Sequence, residues 1–423
     1  MAFDLNSESF WQEAEVDAEL KRVFDICNGC RRCYNLCPSF NDLFVRLDRE
    51  NVDGEAEKLD AADLRSVTDL CYQCKLCFNH CPYTPPHRWD LDFPRLMLRS
   101  KAVQVKRDGV SLQDRALGDV DRIGRIGSLL APLANWAIRN RFNRWVMEKL
   151  FGIHRERILP DYAAETFRSW FDKGGADGGV ATSGKRVALF YTCSVNFNEP
   201  ATGRACVEVL RKNGIDVACP EQRCCGMPYL DGGDVEAARK SARANVDSLH
   251  ALVKQGLDVV VPGPTCGYML KREYPLLLDD EAAREVAART FDICEYLMAL
   301  HGRGKLDTRF VKSAGEVAYQ VPCHLRAQNL GYKSRDLMAL IPDTQVHVIE
   351  KCAAIDGTWG LKRQYYDLSL KVAEPLIEAI RQARPDVTVS DCPLATLQIE
   401  QGLARKALHP IRVLARAYGL EEE

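Results

Sequence analysis

Two cysteine stretches constrain the fold of this chain more than any other feature. The first is Cys27-Asn-Gly-Cys30-Arg-Arg-Cys33-Tyr-Asn-Leu-Cys37-Pro38, and the second is Cys71-Tyr-Gln-Cys74-Lys-Leu-Cys77-Phe-Asn-His-Cys81-Pro82. Both have the spacing C-x2-C-x2-C-x3-C-P. Three cysteines at two-residue intervals supply three thiolates to one iron–sulfur cluster, and the fourth thiolate reaches across to a second cluster. The pattern therefore predicts two neighbouring [4Fe-4S] clusters.

The crossed fourth ligand assigns all eight of these cysteines. One cluster is predicted on Cys27, Cys30, Cys33 and Cys81, and the other on Cys71, Cys74, Cys77 and Cys37. Disulfides are a weaker alternative because they need an oxidising compartment. Structural zinc is also weaker, since zinc sites typically pair two C-x2-C units.

The bulk composition is that of an ordinary globular protein with several domains. A length of 423 residues suits roughly two to four domains. The net charge of −2 argues against a nucleic-acid partner, because no basic excess is available to meet phosphates. The start of the chain has neither a basic region nor an apolar run, so we expect no secretory signal and a cytoplasmic location.

One basic segment rich in tryptophan suggests an interaction surface. It runs from Ser128 to Gly152 and contains Trp136, Arg139, Arg141, Arg144 and Trp145. A basic helix with aromatic residues on one face lies readily in a membrane interface. We therefore expect a membrane or partner surface here, at the inner face of the cell membrane if lipid is the partner. The alternative is a helix packed on its own chain with solvated arginines.

The chain changes character near a glycine-rich linker, Gly174 to Gly184. Before it, the pattern is helical; after it, strands and helices alternate as in parallel α/β units. Predicted strands cover 186–191, 215–219 and 258–261. The fold class is therefore α+β multidomain: a helical two-cluster ferredoxin domain (1–100), a helical basic segment with linker (101–184), and two α/β cysteine-rich modules (185–310 and 311–423).

An internal repeat defines the two modules. A strand ending at Cys193 matches a later strand ending at Cys323. Cys224 and Cys266 follow in the first copy, and Cys352 and Cys392 follow in the second. The intervals are 31 and 42 residues in the first copy against 29 and 40 in the second.

All repeated cysteines follow predicted strands, where ligands gather in parallel α/β units. In module one, Cys193, Cys224, Cys225 and Cys266 provide four thiolates, enough for a further iron–sulfur site. Adjacent cysteines point apart on a regular backbone. Cys224-Cys225-Gly226 therefore predicts a special turn that aims both thiolates at one metal assembly.

The segment Glu221-Gln-Arg-Cys-Cys-Gly-Met-Pro228 resembles the CCG signature of cysteine-rich domains. Such domains occur in the B and D subunits of heterodisulfide reductase, glycolate oxidase iron–sulfur subunits and the C subunit of anaerobic glycerol-3-phosphate dehydrogenase. The order of motifs, Pro322-Cys-His324 and Gly357-Thr-Trp-Gly-Leu-Lys362 are similar to the last of these over nearly the whole chain. The resemblance implies a subunit without flavin that passes electrons from a flavin dehydrogenase towards a quinone.

The chain departs from the fuller CCG pattern in both modules. The final C-x-x-C lacks its second thiolate in each copy, and the CCG triplet of module two is Cys352-Ala353-Ala354. The resemblance implies a noncubane-type [4Fe-4S] cluster in module one. Module two keeps Cys323, Cys352 and Cys392. It either holds a cluster with an open or non-cysteine position, with His324 as a candidate ligand, or it is a relic that binds nothing.

The other motifs add little chemistry. Cys206, Cys219 and Cys294 lie away from any motif and are expected to act as small buried hydrophobes. The sequence shows no dinucleotide, phosphate-loop or nucleophile-elbow motif, so we expect neither flavin nor NAD on this chain. Three functions stay in view: an electron-transfer subunit, a disulfide-type reductase acting at module one, and a scaffold or membrane-docking subunit. The first is preferred, with no catalytic residue assigned.

Overall fold

The N-terminal part is helical, and its helices surround the two cysteine loops. The structure is a computed structural model that describes residues 4–175 and 184–421. The helices of this part are α1 (Glu13–Cys30), α2 (Pro38–Leu47), α3 (Ala61–Leu70), α4 (Leu76–His80) and α5 (Phe93–Asp108). The predicted helical character of this part is confirmed.

Local sequence explains where these helices begin and what they bury. Asp60 caps α3 reciprocally with Asp63, which satisfies backbone amides at the helix start. Pro38 occupies the first position of α2, where its missing N–H costs nothing. The rings of Phe40 and Phe93 stack with centroids 4.3 Å apart in the core between the helices.

A second group of helices links the cluster loops to the α/β part. It comprises α6 (Leu112–Gly118), α7 (Val120–Leu129), α8 (Ala131–Arg139), α9 (Arg141–Phe151) and α10 (Phe167–Trp170). Gly124 of α7 lies directly against Phe197, where a Cβ atom would come within 2.2 Å of the ring. Most of the predicted glycine-rich linker, 176–183, lies outside the described residues.

Module one is a parallel sheet covered by helices. Its strands are β1 (Lys185–Leu189), β2 (Ile215–Ala218), β3 (Asp258–Val261) and β4 (Thr290–Asp292), in the order β2-β1-β3-β4. Its helices are α11 (Cys193–Phe197), α12 (Pro200–Lys212), α13 (Met227–Asp231), α14 (Val235–Val253), α15 (Pro264–Tyr268), α16 (Tyr274–Leu278), α17 (Glu281–Ala288) and α18 (Ile293–His301). The near-continuous apolar strands match a sheet buried on both faces.

Module two repeats the central part of this arrangement. Its strands are β5 (Gly315–Gln320), β6 (Thr344–Ile349) and β7 (Val387–Ser390), parallel and in the order β6-β5-β7. Its helices are α19 (Cys323–Ala327), α20 (Lys333–Met338), α21 (Tyr366–Ala383), α22 (Pro393–Leu403) and α23 (Pro410–Ala417). The order β2-β1-β3 in module one corresponds to β6-β5-β7 here, so the predicted repeat is confirmed.

The two modules share one core. Leu210 and Leu297 of module one belong to the same buried apolar cluster as Val317, Leu337 and Leu414 of module two. Burial of apolar area on this scale opposes relative motion of the modules, because each square ångström removed from water contributes about 25 cal/mol. The strand ends of both sheets are therefore held in a fixed relation to each other and to the cluster loops.

Candidate iron–sulfur sites

The first site of the helical part brings together cysteines from both motifs. Cys27, Cys30, Cys33 and Cys81 all line one cavity of about 30 Å³. Helix α1 ends at Cys30, and Arg31 follows in the left-handed conformation with φ 51°, so the chain turns back on the helix end. Burial raises the pKa of Cys33 to about 11, and the neighbouring thiols of Cys81 and Cys30 contribute. Bound iron would offset this cost by stabilising thiolates.

The second site contains the other four cysteines of the two motifs. Burial, followed by the proximity of the Cys71 thiol, raises the pKa of Cys37 to about 12, while the backbone amides of Phe40 and Ser39 act in the opposite direction. Cys74, Cys71 and Cys37 all raise the pKa of Cys77 further through their proximity, after burial itself. Cys77 also lines the cavity of the first site, so the eight thiols lie close together, and their division into two ligand sets stays a prediction.

Module one brings four cysteine thiols together at the ends of its strands. The neighbouring thiol of Cys224, together with burial, raises the pKa of Cys193, and the thiols of Cys224 and Cys266 raise that of Cys225, so the four thiols lie close together. Gly226 has φ +89°, and a Cβ there would lie 3.3 Å from the backbone of Ala238. The glycine therefore permits the turn that points both adjacent thiols to one side. The donor set fits a sulfur-rich metal cluster.

Polar residues outside the motif hold this turn in place. Asp121 of α7 accepts a hydrogen bond of 2.7 Å from the backbone N–H of Cys224. Asn245 accepts from the N–H of Arg223 at 2.7 Å, and the hydroxyl of Tyr274 donates to the carbonyl of Cys225 at 3.0 Å. Burial raises the pKa of Asp121 to about 6. Sequence reasoning missed these residues, because none lies near the motif in the chain.

Module two retains the same turn with fewer thiols. The thiols of Cys323 and Cys352 are neighbours, since each shifts the pKa of the other, and both line a cavity of about 30 Å³ with Cys392. Ala354 has φ 51°, and its N–H donates to the sulfur of Cys352 at 3.3 Å. An alanine therefore occupies the left-handed position that Gly226 has in module one. The clash of its Cβ atom in this conformation costs about 1 kcal/mol of conformational free energy.

His324 joins module two to its neighbours in this arrangement. Its Nδ1 lies 2.9 Å from the Thr265 hydroxyl, and its Nε2 lies 3.1 Å from the carbonyl oxygen of Gln73 in the second cysteine loop. His324 also lines the cavity that contains Cys323, Cys352 and Cys392. Its role as a ligand in module two stays a prediction.

Module two packs directly against the second cysteine loop. The hydroxyl of Tyr72, which lies between Cys71 and Cys74, is 3.3 Å from the sulfur of Cys352. The side-chain amide of Asn79 donates to the carbonyl of Arg326 at 3.1 Å. This contact connects two cysteine sets that are nearly 280 residues apart in sequence. No local sequence pattern predicted it.

Comparison with known proteins agrees with this arrangement of sites. Residues 20–107 match the Fer4-like domain of citrate utilization protein B, and residues 187–271 and 317–400 each match the cysteine-rich domain family. The chain is 31% identical to the C subunit of anaerobic glycerol-3-phosphate dehydrogenase from Escherichia coli strain K12, over 73% of this chain and 77% of the relative. The chain belongs to this C-subunit family.

The chain is also similar to other curated proteins, one of them a reductase subunit by name. The B subunit of fumarate reductase (CoM/CoB) from Methanothermobacter marburgensis is 27% identical over 61% of this chain and 51% of the relative. Lactate utilization protein A of Geobacillus thermodenitrificans is 27% identical over 54% of this chain and 95% of the relative. Together with the gathered thiols, these matches identify an iron–sulfur electron-transfer subunit of oxidoreductase complexes.

The basic, tryptophan-rich segment of this C-subunit family member exposes many apolar side chains. We call them the α7–α9 apolar surface: Ile123, Ile126, Leu129, Leu130, Leu133, Trp136, Phe142, Trp145, Leu150 and Phe151. Arg139 and Arg141 are exposed beside it. No helix within 4–175 or 184–421 combines the length and apolar character needed to span a bilayer.

Arg144 does not belong to this surface, which corrects the sequence prediction. Its side chain is buried, and its guanidinium donates to the carbonyls of Arg155 at 3.1 Å, His154 at 2.7 Å and Arg157 at 2.7 Å. A buried guanidinium with several carbonyl acceptors anchors a loop. Helix α9 therefore has a packed face, carrying Arg144, and an outer face, carrying Trp145.

Proposed function

We propose that this chain passes electrons one at a time from a flavoprotein dehydrogenase, of the glycerol-3-phosphate type, towards a quinone. The contact of the Tyr72 hydroxyl with the sulfur of Cys352 carries this proposal, because it joins the second cysteine loop directly to a cysteine of module two. Iron–sulfur clusters supply one-electron transfer when bound. A partner that oxidises a substrate by two electrons requires such a relay before a separate acceptor can be reduced.

We assign the clusters as the sequence predicts. One [4Fe-4S] cluster would bind Cys27, Cys30, Cys33 and Cys81, and the second would bind Cys71, Cys74, Cys77 and Cys37. Module one would hold a noncubane-type cluster on Cys193, Cys224, Cys225 and Cys266, and module two would hold a cluster on Cys323, Cys352 and Cys392. The chain itself binds neither flavin nor NAD in this proposal. The domain limits at 100, 184 and 310 belong to the same proposal.

Iron and acid-labile sulfide analysis of anaerobically purified protein tests the cluster count. At four irons per cluster, about eight irons per chain indicate the two ferredoxin-type clusters alone, about twelve add module one, and about sixteen fill both modules. Cys81→Ser should disturb the EPR signal of the cluster on Cys27, Cys30 and Cys33. Cys206→Ser, a buried thiol within α12, is the matched control and should leave all signals unchanged.

A reconstitution with the flavoprotein partner tests the electron path. Affinity purification from native cells should recover a flavoprotein, and the substrate of that flavoprotein should reduce the clusters of this chain. If purified partner and substrate leave the clusters oxidised, the proposed direction of electron flow is wrong.

The four neighbouring thiols of module one favour a second candidate, reduction of a disulfide-type substrate. Two electrons from cluster iron would cleave an S–S bond, and each sulfur would take up one proton as a thiol forms. The missing second thiolate of C-x-x-C in both modules weakens this candidate. Stopped-flow mixing of the reduced protein with candidate disulfides decides the matter, because absence of cluster reoxidation excludes the reaction.

We further propose that the α7–α9 apolar surface rests on an anionic membrane. Exposed basic side chains border it: Arg122, Arg125, Arg139, Arg141 and Lys149. Each basic residue near an anionic bilayer contributes about 1 kcal/mol of attraction, and exposed leucine and tryptophan side chains enter the interface. Trp136 is 58% exposed and Leu133 is 59% exposed, which suits insertion.

Vesicle co-sedimentation tests this membrane contact. The double variant Leu133→Glu/Trp136→Glu should lose at least about tenfold in binding to phosphatidylglycerol vesicles. Val311→Glu is the control, since Val311 is 70% exposed but lies outside the α7–α9 apolar surface. Equal partition of the double variant and the wild type would contradict the proposal. The α7–α9 apolar surface would then be assigned to contact with a protein partner.

A further inference from the structure

A polar cavity of about 150 Å³ lies where the second cysteine loop meets both modules. Helices α5 and α6 complete its wall. Aromatic and charged side chains line it, among them Tyr72, Lys101, Asp114, Asp231, Trp359 and Tyr365. Because these residues come from all parts of the chain, no local motif indicates the cavity.

One wall of the cavity is aromatic. The rings of Trp359 and Tyr365 stack with centroids 4.6 Å apart and an interplanar angle of 9°. Tyr72 lies against Trp359 with centroids 5.0 Å apart. The indole N–H of Trp359 donates to the carbonyl of Asp69 at 3.1 Å, which fixes the ring. A fixed aromatic wall favours a flat, conjugated ligand.

Other residues of the lining carry polar groups that can hydrogen-bond to the carbonyl oxygens of a ligand. The ammonium of Lys101 donates to the carbonyl of Cys71 at 2.8 Å, and an ammonium has three donors in all. One carboxylate oxygen of Asp231 is buried without a hydrogen-bond partner among the described residues. A Cβ at Gly357 would lie 2.6 Å from the other oxygen, so module two confines this carboxyl group.

The pKa of the Asp231 carboxyl group suits proton transfer. Burial, supported by Asp356 and Glu273 and opposed by Lys75 and Lys101, raises its pKa to about 7. A buried carboxyl group of this kind donates a proton near neutral pH. The proposed electron donors lie next to the cavity, because Tyr72 lies between two cysteines of the second site and contacts Cys352.

The rim of the cavity continues into the α7–α9 apolar surface. Leu112 is 73% exposed beside Ser111, which lines the cavity. The side-chain amide of Gln113 donates to the carbonyl of Gly152 at 2.8 Å, so the start of α6 meets the end of α9. Leu150 and Phe151 are exposed at that helix end. Exposed apolar side chains at the start of α6 and the end of α9 therefore lie near the rim of the cavity.

We propose that this cavity binds the ring of a membrane quinone, with Lys101 and Asp231 at its carbonyl oxygens and its isoprenoid tail along Leu112 and Phe151. The inference deepens the proposed function and rests on it. Two electrons from two reduced iron–sulfur clusters convert both C=O groups to C–OH, and the clusters become oxidised. One proton passes from Asp231, which is reprotonated from water, and the second comes from water.

Reoxidation kinetics of the full-length, dithionite-reduced protein test this site. Menadione should reoxidise the wild type, and Asp231→Asn should slow that step by about 10²-fold, because a positioned proton donor contributes about that much. Ferricyanide takes one electron and no proton, so it should reoxidise both proteins at the same rate. Asp247→Asn, a substitution at an exposed position of α14, should match the wild type with both oxidants. Menadione rates equal in the wild type and Asp231→Asn overturn the proposal.

Photolabelling tests the site in the wild-type protein, so the result does not depend on whether a variant folds. A photoreactive azidoquinone should label the peptide that carries Trp359 and Tyr365 in the wild type, and excess menadione should suppress the labelling. Labelling confined to other peptides overturns the site. Failure of the flavoprotein to reduce the clusters affects only the proposed function, because dithionite replaces the flavoprotein in this experiment.

Discussion

At the scale of single residues, the two modules differ most at one turn. Gly226 and Ala354 both have positive φ, but only Gly226 lacks a Cβ atom. The turn of module two therefore forms in spite of its sequence, which shows that the surrounding sheet and helices impose it. The loss of a cysteine at Ala353 changed the number of thiols without changing the backbone that positions Cys352.

This difference predicts opposite effects of matched substitutions. Ala354→Gly should raise the free energy of unfolding by roughly 0.5–1 kcal/mol, because relief of the left-handed strain exceeds the entropy cost of glycine. Gly226→Ala should lower it, since φ +89° disfavours an L side chain and Ala238 is close. Calorimetric melting of both variants measures the effect. Destabilisation by Ala354→Gly would show that its left-handed backbone carries no strain.

Asp121 gives a second prediction at this scale. Asp121→Ala leaves the buried N–H of Cys224 without an acceptor, a loss of roughly 1–3 kcal/mol at the turn. We expect the variant to lose the module-one cluster signal in EPR while both ferredoxin-type signals persist. Arg125→Ala, at an exposed position on the same helix, is the control. Retention of every signal would show that the turn holds without this contact.

At the scale of secondary-structure elements, the ends of β4 and β7 bring two carboxyl groups together between the modules. The ligand atoms of Asp292, Cys294 and Asp391 lie within 4.8 Å of one another, and all three residues are buried. Asp391 accepts hydrogen bonds from the hydroxyls of Tyr319 at 2.7 Å and Ser334 at 2.5 Å. We interpret the pair as two carboxyl groups that share one proton, because two buried negative charges at this separation repel each other strongly.

This pair predicts a pH-dependent stability. Burial, followed by the proximity of Asp391 and Glu295, raises the pKa of Asp292 to about 8, although the amides of Glu295 and Cys294 oppose the shift. Its contribution to stability is thus fully present below about pH 4 and is lost as the pH rises through about 8, by up to about 1.4 kcal/mol per pH unit.

Asp292→Asn removes this titration but keeps an oxygen for the amides of Cys294 and Glu295. The melting temperature of the variant should therefore rise relative to the wild type between about pH 6 and about pH 8. Asp343→Asn, a substitution at an exposed position, should show a constant difference from the wild type. A constant difference for Asp292→Asn as well would mean that Asp292 is ionised throughout.

At the scale of the whole molecule, direct contacts join the two modules and the second cysteine loop. Shared core residues hold the two modules together, and His324 and Tyr72 join module two to the second cysteine loop. The aromatic cavity lies at this junction, since Tyr72 lines it. Such a rigid arrangement suits electron transfer, since no large motion is needed between neighbouring sites.

The Tyr72 contact predicts a shift in reduction potential. A cysteine sulfur bound to iron has no proton, so the Tyr72 hydroxyl must donate to Cys352 when a cluster is present. Tyr72→Phe keeps the ring beside Trp359 but removes this donor, and the module-two potential should become more negative, because hydrogen bonds to cluster sulfur tune its potential. EPR-monitored titration measures the change. An unchanged potential would show that the Tyr72 hydroxyl does not donate to a cluster-bound sulfur.

Sequence spacing by itself determined the local chemistry of this protein. The two C-x2-C-x2-C-x3-C-P motifs, the α/β repeat and the Cys224-Cys225-Gly226 turn were readable because each depends on residues close together in the chain. Strand limits such as Asp258–Val261 agree with the sequence prediction for the same reason. Local spacing dictates these features, since it sets which side chains share a loop or a strand end.

Tertiary structure alone decided how these units meet. Arg144 is basic in a basic segment, yet the carbonyls of 154–157 bury it, so the sequence assigned it wrongly to the surface. Asp121, Tyr72 and the partners of His324 act across large sequence separations, and no periodicity encodes such contacts. The cysteine motifs indicate where clusters would bind, but the packing of modules determines which sites are neighbours and where an acceptor has room.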